Sequence, residues 1–90
     1  MSNNSLTKRD EIIEQYPDAT FLFLDPDNFD KAIIGVSEPR GGDDPLIVYD
    51  GRMIVELLME DGMDEIEAQE YYEYNISGAW MGKQTPLYVW

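Results

Sequence analysis

Between Asp50 and Gly82 the chain spells out two amphipathic helices in succession, each with its own start signal and one apolar stripe to bury. Asp50 is placed as an N-cap, and Ile54, Leu57 and Leu58 follow at helical spacing, which predicts a helix over 51–60. Gly62 suits the position just past its end. Asp64-Glu65-Ile66-Glu67 then reads as a capping box with Asp in the usual Ser/Thr place, opening a second helix predicted to run to about Met81. Gly82 can stop that helix, and Pro86 lies shortly beyond.

The remaining apolar runs are too short for helices and are bounded by turn residues. Ala19–Leu24, Lys31–Val36, Leu46–Tyr49 and Leu87–Trp90 each read as a strand. Asp25-Pro26-Asp27-Asn28 reads as a turn, and Glu38–Pro45, with two prolines and two glycines, as a loop. Loop-linked neighbours of this kind pair antiparallel as a rule. Near the N-terminus Thr7 can cap a short helix with Asp10 and Glu11 in its first turn, Ile12, Ile13 and Tyr16 on its apolar side, and Pro17 at its end. Met1–Ser5 is polar and reads as frayed. The expectation is one α+β domain over 1–90: a small, mainly antiparallel sheet packed by two to three helices, with the 51–81 helix pair covering one sheet face.

A chain of 90 residues buries only about 60–65% of its unfolded surface, so the core is modest. With no cysteine, disulfides and thiolate metal sites are excluded, and the composition fits a reducing cytoplasm. No apolar run approaches the roughly 20 residues that span a bilayer, and the first residues lack a signal-like apolar core. With no histidine, the usual near-neutral acid/base is missing and a serine triad through Ser37 or Ser77 is impossible. The formal net charge is −13, yet 43% of the residues are hydrophobic, so this is a foldable domain with an acidic skin rather than a disordered tail. Such a skin repels nucleic acid phosphates and associates with basic surfaces.

At 100° per residue, Ala68, Tyr71, Tyr72, Asn75, Ile76 and Ala79 fall on one face of the last helix, and Glu67, Glu70, Glu73 and Tyr74 on the other. Tyr71 and Tyr72 are therefore expected in the core and Tyr74 outside. Asn75, set in the apolar face, either pins a neighbouring segment or contacts a ligand, since an unpaired buried amide costs roughly 1–3 kcal/mol. Gly78 inside the pattern implies either close packing against another element or a helix that ends near Ser77.

The carboxylates of Asp25, Asp27 and Asp30 invite a calcium-loop reading, but an EF-hand counted from Asp25 would need Gly where Asp30 stands and Glu where Val36 stands. A turn whose Asp and Asn side chains bond their own backbone explains the run better. Gly41-Gly42 lacks the Lys-Ser/Thr of a phosphate loop. What rises above background is charge asymmetry. From Met53 through Gly82 there is no Lys or Arg, while Glu56, Glu60, Asp61, Asp64, Glu65, Glu67, Glu70 and Glu73 all fall there. Either this is plain solvation of an exposed face, or the face docks on a basic protein. In the second case it can imitate a DNA backbone, because an 18-residue helix spans roughly 27 Å against about 3.4 Å per phosphate. Tyr74, Trp80 and Trp90 would then be aromatic anchors.

Phe29–Gly35, Val48-Tyr49-Asp50, Gly62-Met63, Glu67-Ala68, Glu70, Asn75-Ile76, Gly78-Ala79, Gly82 and Thr85-Pro86 form a spaced pattern covering about residues 20–90. The pattern resembles a family of small, largely uncharacterised proteins common in bacteriophage and bacterial genomes. The N-terminal helix has no counterpart in it. The resemblance implies a compact phage-type accessory protein that acts on a host factor, located in the host cytoplasm, and it carries over no catalytic or ligand residues.

The leading expectation is a non-enzymatic binding protein with no cofactor and no metal, using Glu67, Glu70, Glu73 and Tyr74 against a basic protein surface, such as that of a nucleic-acid-binding host protein, without binding nucleic acid or membrane itself. The alternative is a small ligand-binding or enzymatic domain built on the Asp25/Asp27/Asp30 loop and Asn75. A third reading is self-association through Tyr74, Trp80 and Trp90.

Overall fold

The computed structural model describes residues 7–38 and 44–90. The N-terminal stretch read as frayed and the centre of the Glu38–Pro45 loop lie outside the described residues. The order of elements is helix α1 (Lys8–Gln15), a 3-10 helix (Asp27–Ala32), strands β1 (Ile33–Val36) and β2 (Ile47–Asp50), helices α2 (Gly51–Glu60) and α3 (Glu65–Tyr71), a π-helical segment (Tyr72–Ser77) and strand β3 (Leu87–Val89). The sheet order is β1-β2-β3. β1 and β2 pair antiparallel with an irregularity between Ile33 and Gly35, whereas β2 and β3 pair parallel, joined by the two-helix crossover. The fold is α+β, as the alternation of punctuated apolar runs and capped helices predicts.

Helix starts follow their capping chemistry. Thr7 Oγ1 accepts from the Asp10 amide at 3.1 Å, and Asp10 returns a bond to the Thr7 amide. Asp50 accepts from the Met53 amide at 3.2 Å, and Asp64 and Glu67 close a reciprocal box at 2.8 and 3.2 Å. Each cap of this kind contributes about 1 kcal/mol. α2 ends at Glu60, and Gly62 takes a φ of +114°, the left-handed turn its sequence position demands.

The core lies between the sheet and α2. Ile47, Tyr49 and Ile54 are fully buried, with Phe29, Ala32, Ile33, Leu57, Ala68, Tyr72 and Ile76 around them. α2 is the hub, touching the 3-10 helix, α3, the π segment, β2 and β3. An aromatic column fills the crossover side. Tyr49 stacks on Tyr88 at 5.9 Å, Tyr72 meets Tyr88 edge-on at 5.9 Å, and Tyr72 packs on Trp90 at 5.8 Å. Arg52 lies over the Trp90 ring at 5.3 Å and donates to the Trp90 carbonyl.

Three sequence expectations are corrected. Ala19–Leu24 is no strand, and side chains rather than a neighbouring ladder take up several of its backbone groups. The Thr20 amide donates to Asp44 Oδ2 at 3.1 Å, the Leu24 amide donates to Tyr49 Oη at 2.8 Å, and Arg9 donates to the Leu24 carbonyl at 3.4 Å. Lys31 and Ala32 belong to the 3-10 helix, which buries Phe29 and Ala32, so the strand begins only at Ile33. The last helix stops at Ser77 rather than Met81. The Gly78 amide donates to the Glu73 carbonyl at 3.0 Å, an i→i+5 closure, and a β-carbon at Gly78 would collide with that same oxygen. The close approach that Gly78 permits is thus to its own helix and not to another element. Gly82 stands in a separate turn, where Thr85 Oγ1 donates to its carbonyl at 2.6 Å and accepts from the Met81 amide at 2.8 Å.

α1 is held lightly by apolar contact, since only Ile12 is buried while Ile13 and Tyr16 remain exposed. Its two bases hold it instead. Lys8 Nζ donates to the Ile33 carbonyl at 2.9 Å. Arg9 donates to Asp30 Oδ1 at 2.9 Å, sets its Nε 2.9 Å from Oδ2, and lies 4.4 Å over the Phe23 ring.

Candidate functional site

The two helices of the base-free span turn all eight of their carboxylates to solvent: Glu56, Glu60, Asp61, Asp64, Glu65, Glu67, Glu70 and Glu73 are exposed. Among the described residues the one ion pair is Arg9–Asp30, on the other side of the chain's connectivity, so none of these eight has a basic partner there. Lys8 and Arg9 are drawn into the attachments of α1, and Arg52 is drawn onto Trp90. These three bases serve the fold, and the eight acids form no ion pair among the described residues.

The acids are not evenly spread. Glu67, Glu70 and Tyr74 come together with Met63, Tyr71 and Asn75 around a shallow groove of about 290 Å³. Glu73, grouped with them on the sequence, is exposed but does not line it. Tyr74 is 80% exposed, a large aromatic face in water beside two carboxylates. Glu67 is oriented by its capping bond to the Asp64 amide.

Tyr71 and Asn75 are corrections. The 100° spacing places both on the buried face, yet Tyr71 is 42% exposed and Asn75 is exposed. Tyr71, the last residue of α3, lies at the edge of the apolar face; for Asn75 the cause is the change of winding at Tyr72. An i→i+5 segment advances through fewer degrees per residue than an α-helix, so each successive side chain lags behind its α-helical position. Asn75 therefore stays on the stripe of Glu67 and Tyr71, while Ile76 falls into line with Ala68 and Tyr72 and is buried. No signal in the spacing alone marks this change. The glycine at 78 is its one trace, because only a residue without a β-carbon admits the Glu73 carbonyl that closes the segment.

Tyr71 and Asn75 also line a second cavity of about 300 Å³ on their other side, bounded by Leu22, Leu24, Phe29, Ile76 and Met81, with Asp25 at its edge. Here the side-chain-anchored segment 19–24 forms a wall opposite the π segment. Tyr72 does not line this cavity; its ring packs on Tyr88 and Trp90, and burial raises its phenol above the ordinary tyrosine value.

The carboxylates of Asp25, Asp27 and Asp30 do not converge. Asp30 is committed to Arg9, whose guanidinium is pushed above its usual value first by that hydrogen bond. Among the described residues no group of three or more His, Cys, Asp or Glu side chains is arranged to hold a metal ion. Of the other two aromatic candidates, Trp90 is packed between Tyr72 and Arg52, whereas Trp80 is 79% exposed beside Leu46 and Lys83, away from the groove. No described helix is long and apolar enough to cross a membrane.

Comparison with known proteins finds no matching family model, no similar curated protein and no similar solved structure.

Proposed function

We propose that this chain is a non-enzymatic acidic binding protein that docks its α3 side on a basic protein surface, in the manner of a phage-type accessory protein acting on a host factor. One observation carries the reading: eight exposed carboxylates fall on two consecutive helices, none of them in an ion pair among the described residues, and two of them, Glu67 and Glu70, lie beside the exposed Tyr74. Carboxylates held at this density repel one another by a few tenths of a kcal/mol per pair, a cost that a basic partner removes. The spaced residues from Phe29 to Pro86 support the phage-type setting. A DNA-mimic version asks more of the face. α3 and the π segment together span 13 residues, Glu65–Ser77, or roughly 20 Å, enough for a handful of phosphate positions.

The test is capture of partners from host lysate. Glu67 should be changed to Gln, which keeps its capping bond, and Glu70 and Glu73 to Lys. Capture falls with this variant and with rising salt; capture that is indifferent to both refutes the reading. In the DNA-mimic version the captured protein binds nucleic acid and DNA competes for it. The alternative, a ligand site on the Asp25/Asp27/Asp30 loop, would instead give thermal stabilisation by a metal or metabolite that Asp27→Asn abolishes.

A further inference from the structure

We propose that the face between Met63 and Met81 is a two-part groove built for a protein segment that carries an apolar residue beside a lysine or arginine. The proposal rests on the acidic-docking reading and narrows it from a charged surface to a defined subsite pair.

The two cavities described above are adjoining, with Tyr71 and Asn75 as their shared wall. Their side chains differ. One is a slot walled mainly by Leu22, Leu24, Phe29, Ile76 and Met81, with Asp25 also in its lining, and at about 300 Å³ it is large enough for a branched aliphatic or aromatic side chain. The other offers the carboxylates of Glu67 and Glu70 beside the rings of Tyr71 and Tyr74. A guanidinium or ammonium gains from both parts of that second surface, since an aromatic face attracts a cation and a carboxylate pairs with it. A basic residue alone would leave the slot filled with water, and an apolar residue alone would leave the carboxylates uncompensated. Asn75, exposed at the junction, presents a donor and an acceptor where a bound backbone must cross from one subsite to the other.

Other occupants fit less well. Phosphate-bearing ligands are repelled by Glu67 and Glu70. A second copy of this chain would bring a net charge of −13 against the same charge. The groove therefore selects a foreign, basic segment with an apolar anchor.

The probes are capped synthetic peptides with one leucine and one arginine separated by one to three alanines, alongside controls in which leucine is replaced by glycine or arginine by glutamine. They are titrated into the intact, isotope-labelled chain and followed by amide chemical shifts. At the best spacing the two-feature peptide perturbs both the Tyr74 and Ile76 regions and binds about tenfold or more tighter than either control. Tyr71→Ser and Met81→Gln, both at partly exposed positions that leave the core intact, each weaken it about fivefold or more. If the arginine-only peptide binds as well as the two-feature peptide, the paired-groove proposal is overturned and the acidic-face reading stands alone. Equal binding of the leucine-only peptide overturns both for this face. If no spacing perturbs either region, the groove is overturned, and the charge-reversal capture assay judges the broader reading separately.

Discussion

Tyr49→Phe removes one oxygen from a fully buried side chain, and the structure says what that oxygen does. Tyr49 Oη accepts the Leu24 amide at 2.8 Å, the one described hydrogen bond of that amide, and Leu24 is itself 5% exposed. Phenylalanine fills the same space and keeps the stack on Tyr88, so no cavity opens. The cost is therefore that of a buried N–H left without a partner, about 1–3 kcal/mol, offset in part because a hydroxyl no longer has to be desolvated. A net loss of about 1–2 kcal/mol lowers the melting temperature of a domain this size by roughly 5–15 °C. Thermal unfolding followed by circular dichroism measures the total, and amide hydrogen exchange locates it. The Leu24 amide should lose more protection than the α2 amides, because this bond is that amide's described partner while α2 is held by the core. The same loosening should weaken the leucine–arginine peptide, since Leu22 and Leu24 form the slot wall. A stability change under about 0.3 kcal/mol with unaltered Leu24 exchange would refute the claim that a side chain replaces the missing strand ladder here.

Two further outcomes test the packing around the aromatic column. Gly51→Ala places a β-carbon against Tyr72 Oη and 2.9 Å from its Cζ, and should cost about 1–3 kcal/mol in chemical denaturation; a neutral result would mean Tyr72 is not fixed against α2. Alkaline titration reads the buried phenols of Tyr49, Tyr72 and Tyr88, all raised above the ordinary tyrosine value, first by burial. Above roughly pH 10 the unfolded chain loses these protons while the folded chain keeps them, so the unfolded state binds fewer protons and stability falls as pH rises. Denaturation midpoints should be insensitive to these three groups below that pH and decline above it, with tyrosinate absorbance rising in step with unfolding for this buried set.

The helices were legible because their signals are local. Asp50, Gly62 and the Asp64–Glu67 box act within one turn of backbone, and α2 begins and ends where its cap and its periodicity place it. The strands were less legible. Ala19–Leu24 has the composition of a strand, but pairing is a tertiary property, and here the Leu24 amide bonds a tyrosine 25 residues away instead of a strand neighbour. Nor does an apolar run declare its partner's direction. Leu87–Val89 lies parallel to β2 because two helices intervene and carry the chain back to the start of the sheet.

The site was legible in composition and not in shape. The base-free acids could be counted on the sequence, but counting could not separate Glu73 from Glu67 and Glu70, nor bring Tyr71 and Asn75 out of the core. The exposure of Asn75 depends on the winding between Tyr72 and Ser77. A regular α-helix there would bury Asn75 among apolar side chains at the cost of an unpaired amide. The wider turn relieves that conflict by keeping Asn75 with Tyr71 on the solvent side while Ile76 takes the buried place. One local departure from α-helical geometry thus satisfies the polar side chain, completes the core, and leaves an apolar slot and an acidic groove sharing a wall. It follows that the groove and the stability of the last helix are coupled through Gly78. A substitution there that forces ordinary α-helical winding should pull Asn75 inward and close the junction between the two subsites, even though Gly78 lines neither of them.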